Sequence, residues 1–124
     1  MPYPTPRRIV VIAGDDGIDY LIARYANRAG IDVRVAATLT PELLAAPPVA
    51  VWYSSMEALE HGRPRESGVV GDDAAVVVCS SVSDERRARE LGADYCTVHP
   101  LTYPDFVAAM TAVRGDGSRP PSGG

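Results

Sequence analysis

The sequence predicts an α/β domain, a doubly wound, five-stranded parallel sheet with helices on both faces. Three features point there. Five short apolar runs recur along the chain, and stretches with helical spacing or helix-capping residues separate them. The first and fourth runs are continuous rather than alternating, as strands covered on both faces require.

Arg8–Ala13 (RIVVIA) is the first strand. Gly14-Asp15-Asp16-Gly17 then makes a turn able to cap a helix. Ile18–Ala29 follows, with Leu21, Ile22, Tyr25 and Ala26 at helical spacing and Gly30 as the stop. Ile31–Ala36 is the second strand. Thr40-Pro41-Glu42 predicts a helix start, with Thr40 as N-cap and Pro41 in the first turn, and Pro47-Pro48 keeps that helix short. Val49–Tyr53 (VAVWY) is the third strand, Met56–His61 one or two helical turns, and Gly62–Gly71 a loop. Ala74–Cys79 (AAVVVC) is the fourth strand. Ser83 suits the N-cap of a helix over Asp84–Leu91, which Gly92 ends. Tyr95–Val98 is the fifth strand, and Tyr103-Pro104 opens a last helix that turns Phe106, Val107, Met110 and Val113 inward. The helices after the second and third strands are expected to be short or irregular.

The 124 residues fit one domain over 8–114, with a flexible lead-in at 1–7 and a Gly/Pro/Ser-rich tail at 115–124 expected to be disordered or a linker. Apolar residues make up 46% of the chain and charged residues 23%, enough for a conventional core. No apolar run approaches the roughly 18 residues that span a bilayer, and no apolar stretch stands between the first arginines and the first strand as a secretion signal would require. A cytoplasmic protein without membrane contact is expected. The net charge is −4, from 16 acidic and 12 basic residues, all of the latter Arg. That balance argues against a nucleic-acid-binding surface. Cys79 and Cys96 fall inside strand patterns and read as small buried hydrophobes in a reducing compartment.

In doubly wound sheets ligands sit at the carboxyl ends of the strands. The loops to examine are Gly14–Gly17, Tyr53–Met56, Ser80–Ser83 and Val98–Leu101. Together they offer Asp15 and Asp16, Tyr53 and Ser54, Ser80 and Ser81, and His99. Ser80 or Ser54 with His99 and Asp15 would be neighbours, but no nucleophile-elbow motif is present, so no enzyme is expected. GDDG is also not the Gly-x-Gly-x-x-Gly loop of dinucleotide binders.

The stretch Cys79–Phe106, CSSVSDERRARELGADYCTVHPLTYPDF, carries a resemblance. Its strand-ending serines, Arg-rich helix, Gly92-Ala93-Asp94 lead into the fifth strand, and His99-Pro100 close resemble the back half of a response-regulator receiver domain. The resemblance extends over Arg8–Arg114 and implies a flavodoxin-like sheet of order 2-1-3-4-5. It also implies a role in signal transduction or transcriptional regulation. Receivers hold magnesium with acidic residues after the first strand, and place Asp after the third, Ser or Thr after the fourth and Lys after the fifth. This set lets a carboxylate attack a phosphoryl group while cations neutralise the crowded charge.

Set on that pattern, this chain departs at its chemistry. Tyr53 aligns best with the phosphoacceptor, with Ser54 next, and no Asp or Glu stands between Glu42 and Glu57. Glu57 would serve only if the strand ran four residues further. Ser80 matches the hydroxyl position, Ser81 the small residue after it, and His99 replaces Lys while Pro100 is kept. Cys96 stands near the family's aromatic switch. Counting back from Gly30 puts Ala13-Gly14 where the acidic pair belongs. Asp15 and Asp16 are therefore either magnesium ligands in a longer turn or helix caps.

The resemblance thus implies an atypical receiver lacking the phosphoacceptor Asp and needing no cofactor. Such domains pair through the helix after the fourth strand, the fifth strand and the last helix. Here that face would carry Arg86, Arg87, Arg89, Asp94, Asp105 and Arg114. A homodimer is expected, with output through a signalling partner or an effector domain. The alternative is a metabolite-binding regulatory module using the neutral pocket at the strand ends.

Overall fold

The computed structural model describes residues 7–45, 48–62, 64, 70, 74–80 and 84–114, with backbone only for Val113 and Arg114. Residues 1–6, Ser81, Ser83 and the tail at 115–124, with the expectations placed on them, lie outside the described residues. Strands β1 (Arg8–Ile12), β2 (Asp32–Ala36), β3 (Ala50–Tyr53), β4 (Ala75–Ser80) and β5 (Tyr95–Val98) form one sheet. All neighbours are parallel and the order is β2-β1-β3-β4-β5, as expected. Helices α1 (Asp16–Arg28), α2 (Met56–Gly62), α3 (Glu85–Glu90) and α4 (Tyr103–Arg114) surround it.

Alternation along the strands divides the core in two. Ile9, Val11, Trp52, Val77 and Cys79 face one way and pack against Ile22 and Ala26 of α1 and Phe106 and Met110 of α4. Val10, Ile12, Val51, Tyr53, Val76 and Val78 face the other way, against Leu59 of α2 and Ala88 of α3. Burial on both faces explains why β1, β3 and β4 are continuously apolar. Edge strand β2 differs: Asp32, Arg34 and Val35 are exposed, and Val33 and Ala36 are half-buried. Arg8 pairs with Asp32 across the β1–β2 register at 2.9 Å.

A chain of rings locks α1 to α4. Trp52 stacks on Phe106 with centroids 5.2 Å apart, and Tyr25 lies 6.2 Å from Phe106 and 5.7 Å from Tyr103. The Tyr25 hydroxyl donates to the Leu101 carbonyl at 3.0 Å, and the Arg28 guanidinium sits 4.2 Å above the Tyr103 ring.

Four local expectations are corrected. The helix expected after Thr40 is a turn. Thr40 does accept the Leu43 amide, at 3.4 Å, but the backbone bonds of Leu43, Leu44 and Ala45 reach back only three residues. The Pro47-Pro48 pair leaves no length in which a full α-helical ladder can form. Helix α1 starts at Asp16, before Ile18, because Asp15 is the N-cap and takes the Ile18 amide at 3.0 Å. Helix α3 is capped by Asp84, not Ser83: the Asp84 carboxylate accepts the Arg87 amide at 3.0 Å. Val107 is 39% exposed rather than inward, since Phe106, Ala109 and Met110 fill the buried stripe of α4.

Candidate functional site

The carboxyl ends of β1 and β3 meet at Ser54. This residue is fully buried, and its hydroxyl oxygen accepts the Gly14 amide at 2.6 Å and the Asp15 amide at 3.0 Å. Its single proton has the Ile12 carbonyl within reach at 3.3 Å, with the Asp19 carboxyl as a competing acceptor. Ser54 therefore ties the end of β3 to the β1–α1 loop. The fit is close, because a Cβ at Gly14 would collide with the Ser55 hydroxyl. Ser55 itself caps α2 by accepting the Ala58 amide at 3.0 Å.

Asp15 caps α1, and Asp16 is exposed in its first turn. The acid that approaches Ser54 is another, Asp19. It is 8% exposed, and its Oδ1 has no hydrogen-bond partner. Burial pushes its carboxyl above the ordinary range. Hydrogen bonding from Ser54 and the Gly14 backbone opposes that push, while the Asp16 and Asp15 charges add to it. The Asp19 position was legible only as spacing: it shares the buried face of α1 with Ile22 and Ala26.

Asp15 is committed to its helix cap. Among the described residues no three His, Cys, Asp or Glu side chains gather so as to hold a metal ion. The residues present do not assemble the magnesium site of a phosphorylatable receiver.

Tyr53 and Ser54 diverge, as neighbours on a strand must. Tyr53 turns into the α2-side core, 1% exposed, and burial pushes its hydroxyl up to about 12. Ser80 ends β4 at 5% exposure, and its carbonyl accepts the His99 amide at 2.7 Å. The His99–Pro100 peptide is cis, and the buried Nδ1 of His99 has no partner. The geometry thus divides the expected pocket residues: Ser54 with Asp15 at the β1–β3 end, Ser80 with His99 at the β4–β5 end. Cys79 and Cys96 are free thiols, and burial raises both, with the Glu85 and Asp84 charges adding at Cys96.

On the face formed by α3, β5 and α4, Arg86 and Arg87 bond within the chain. Arg86 reaches Glu90 at 3.4 Å, and Arg87 reaches Glu60 at 3.3 Å. Arg89 and Asp105 are exposed, and of Arg114 only the backbone is described. Asp94 has a structural task. Its carboxylate accepts the Val76 amide at 2.8 Å, and its own amide donates to the Val76 carbonyl at 2.7 Å. Apolar side chains surface here too, Val98 at 42% and Val107 at 39% exposure. Glu85, Ala88, Arg89, Ala93, Tyr95 and Cys96 line a cleft of about 140 Å³ between α3 and β5.

A five-stranded 2-1-3-4-5 sheet of this kind is the receiver fold, and comparison with known proteins agrees. No protein-family model and no curated protein matches the sequence. Among solved structures, a response regulator from Thermotoga maritima superposes with a TM-score of 0.67 at 15% identity, covering 88% of this chain and 98% of that one. HP1043, an orphan response regulator of H. pylori, gives 0.62 at 20% identity, covering 86% and 95%. A cobalamin-binding protein from Desulfitobacterium hafniense gives 0.69 at 16% identity, with 89% of this chain on 60% of that one. At these identities the likeness establishes the fold of response-regulator receivers. Among the described residues no helix is long and apolar enough to cross a membrane.

Proposed function

We propose that this chain is a non-enzymatic regulatory domain of the atypical receiver kind, working in signal transduction by protein contact rather than by phosphoryl transfer. The observation that carries this is Ser54. The end of β3, where a receiver needs a carboxylate, holds a fully buried hydroxyl that already serves the Gly14 and Asp15 amides and the Ile12 carbonyl. Among the described residues no three His, Cys, Asp or Glu side chains form a metal site that would neutralise an incoming phosphoryl group.

The contact surface in this reading is the α3–β5–α4 face, and the partner is a second copy of the chain. Supporting it are the edge position of β5 in the sheet and the exposed side chains of Val98 and Val107. Asp94, which clasps Val76, also lines the Arg89 cleft.

The test is incubation with acetyl phosphate, or with beryllofluoride and magnesium, followed by intact mass and thermal melting. Both readouts should stay unchanged. A phosphoryl mass gain, at Asp19 or elsewhere in the β1–β3 cleft, or a magnesium-dependent rise in melting temperature, overturns the proposal. Light scattering should show concentration-dependent association that Val98→Asp weakens.

A further inference from the structure

A doubly wound sheet needs a covering layer on each face. On the α2–α3 face the described residues of the connection from β2 to β3 supply only the turn at 41–44. Of the three β2 residues on that side, Asp32 and Arg34 are polar and exposed, and Ala36 is half-buried. Further along, at the carboxyl ends of β1 and β3, the same shortfall opens a cavity of about 390 Å³. Ile12, Leu39, Tyr53, Ala58, His61 and Gly62 line it. This lies within the roughly 300–1,000 Å³ range of small-molecule sites.

We propose that this cavity is a binding site for a small, largely apolar molecule that carries a hydrogen-bond acceptor for the Tyr53 hydroxyl. Four observations support it. The walls are mostly apolar, and among the described residues no acidic or Arg side chain lines them. Tyr53 is 1% exposed, yet its hydroxyl has no hydrogen-bond partner among the described residues, so a donor stands at the cavity wall unanswered. That hydroxyl is protonated at physiological pH, as any tyrosine's is, and burial only strengthens this, so it is available as a donor. Finally, Gly62 is fitted to the ring: a Cβ there would lie 2.9 Å from Tyr53 Cε2 and 3.0 Å from its oxygen. Exposed His61 and Thr38 at the rim offer further polar contacts to a substituent reaching solvent. This pocket differs from the neutral one expected from the sequence, since neither Ser80 nor His99 lines it.

The test uses coumarin, a fused bicycle with a carbonyl acceptor, and naphthalene, the same size without one. In amide-resolved NMR titrations coumarin should give saturable shifts centred on Leu39, Tyr53, His61 and Gly62. Tyr53→Phe should weaken coumarin by roughly 2- to 12-fold, the worth of one neutral hydrogen bond, and leave naphthalene unchanged. Ala58→Leu, which fills the cavity without touching the hydroxyl, should abolish both, so the proposal stays testable if Tyr53→Phe fails to fold. No saturable coumarin binding at its solubility limit overturns it. So do shifts centred on Ser80 and His99, binding that survives Ala58→Leu, or amide shifts that follow protein concentration alone, which would mean that a second copy fills the cavity. None of these outcomes bears on the α3–β5–α4 face.

Discussion

The Ser54 hydroxyl oxygen lies 2.6 Å from the Gly14 amide nitrogen and accepts its hydrogen, joining residues 40 positions apart at the meeting point of two strand ends. The second amide, of Asp15, arrives at 3.0 Å, so one side chain orders the whole β1–α1 loop and with it the cap of α1. A hydroxyl at this place serves as a staple.

Ser54→Ala should therefore destabilise the domain although it removes one oxygen atom. Two partly buried amides lose their acceptor, a cost of about 1–3 kcal/mol. Urea unfolding should report it as a lower midpoint with unchanged slope. A midpoint equal to that of the parent would show that water replaces the serine.

Asp19 gives the domain a pH signature. Burial raises its folded-state pKa above the ordinary 3.8, so the native chain holds this proton more tightly than the unfolded chain. Stability then falls as pH rises through that window and stays reduced at neutral pH. Asp19→Asn removes the ionisation. The variant should be more stable than the parent at pH 7, with the gap narrowing as the pH drops below the unfolded value. A constant gap across pH would assign the effect to packing instead.

Asp94 should behave as a structural residue. Asp94→Ala breaks the carboxylate bond to the Val76 amide at 2.8 Å and should cost about 1.5–3 kcal/mol, as hydrogen bonds to charged groups do. Arg86→Ala, whose partner Glu90 shares an exposed helix face, should change stability by well under about 1 kcal/mol. Thermal melts of the two variants side by side decide this, and equal losses would contradict it.

Phe106→Ala should be the most damaging of these substitutions. The ring is fully buried between Trp52 and Tyr25, and its loss should cost about 3–5 kcal/mol. Trp52 is the single tryptophan, so a shift in its native emission would report the opened stack. Unchanged emission in a folded variant would mean the cavity collapses around the indole.

The sheet was legible because its signal is one-dimensional. IVVI, AVWY and AVVVC are apolar without a break since helices cover both faces, and Gly30 and Gly92, at φ 75° and 100°, mark helix ends where only a residue without Cβ sits unstrained. The candidate site was legible only in part. Local chemistry marks Asp15 as a cap, but nothing local distinguishes Asp19 from any helical acid. Thr40-Pro41-Glu42 shows the opposite failure, since a sound start signal cannot say that the chain runs out of helix before it builds one.

What the sequence by itself determined, then, is the number, type and order of strands, and the absence of a carboxylate from the Val49–Met56 stretch, because these depend on residue type and spacing along one chain. The tertiary structure alone decided that Ser54 meets Gly14, that Asp19 is the buried acid, that Asp94 is committed to Val76, and that Tyr53 opens onto a cavity. Each of these is a relation between distant segments. Strand register and helix rotation fix such relations through packing, and neither is written in the neighbourhood of any one residue.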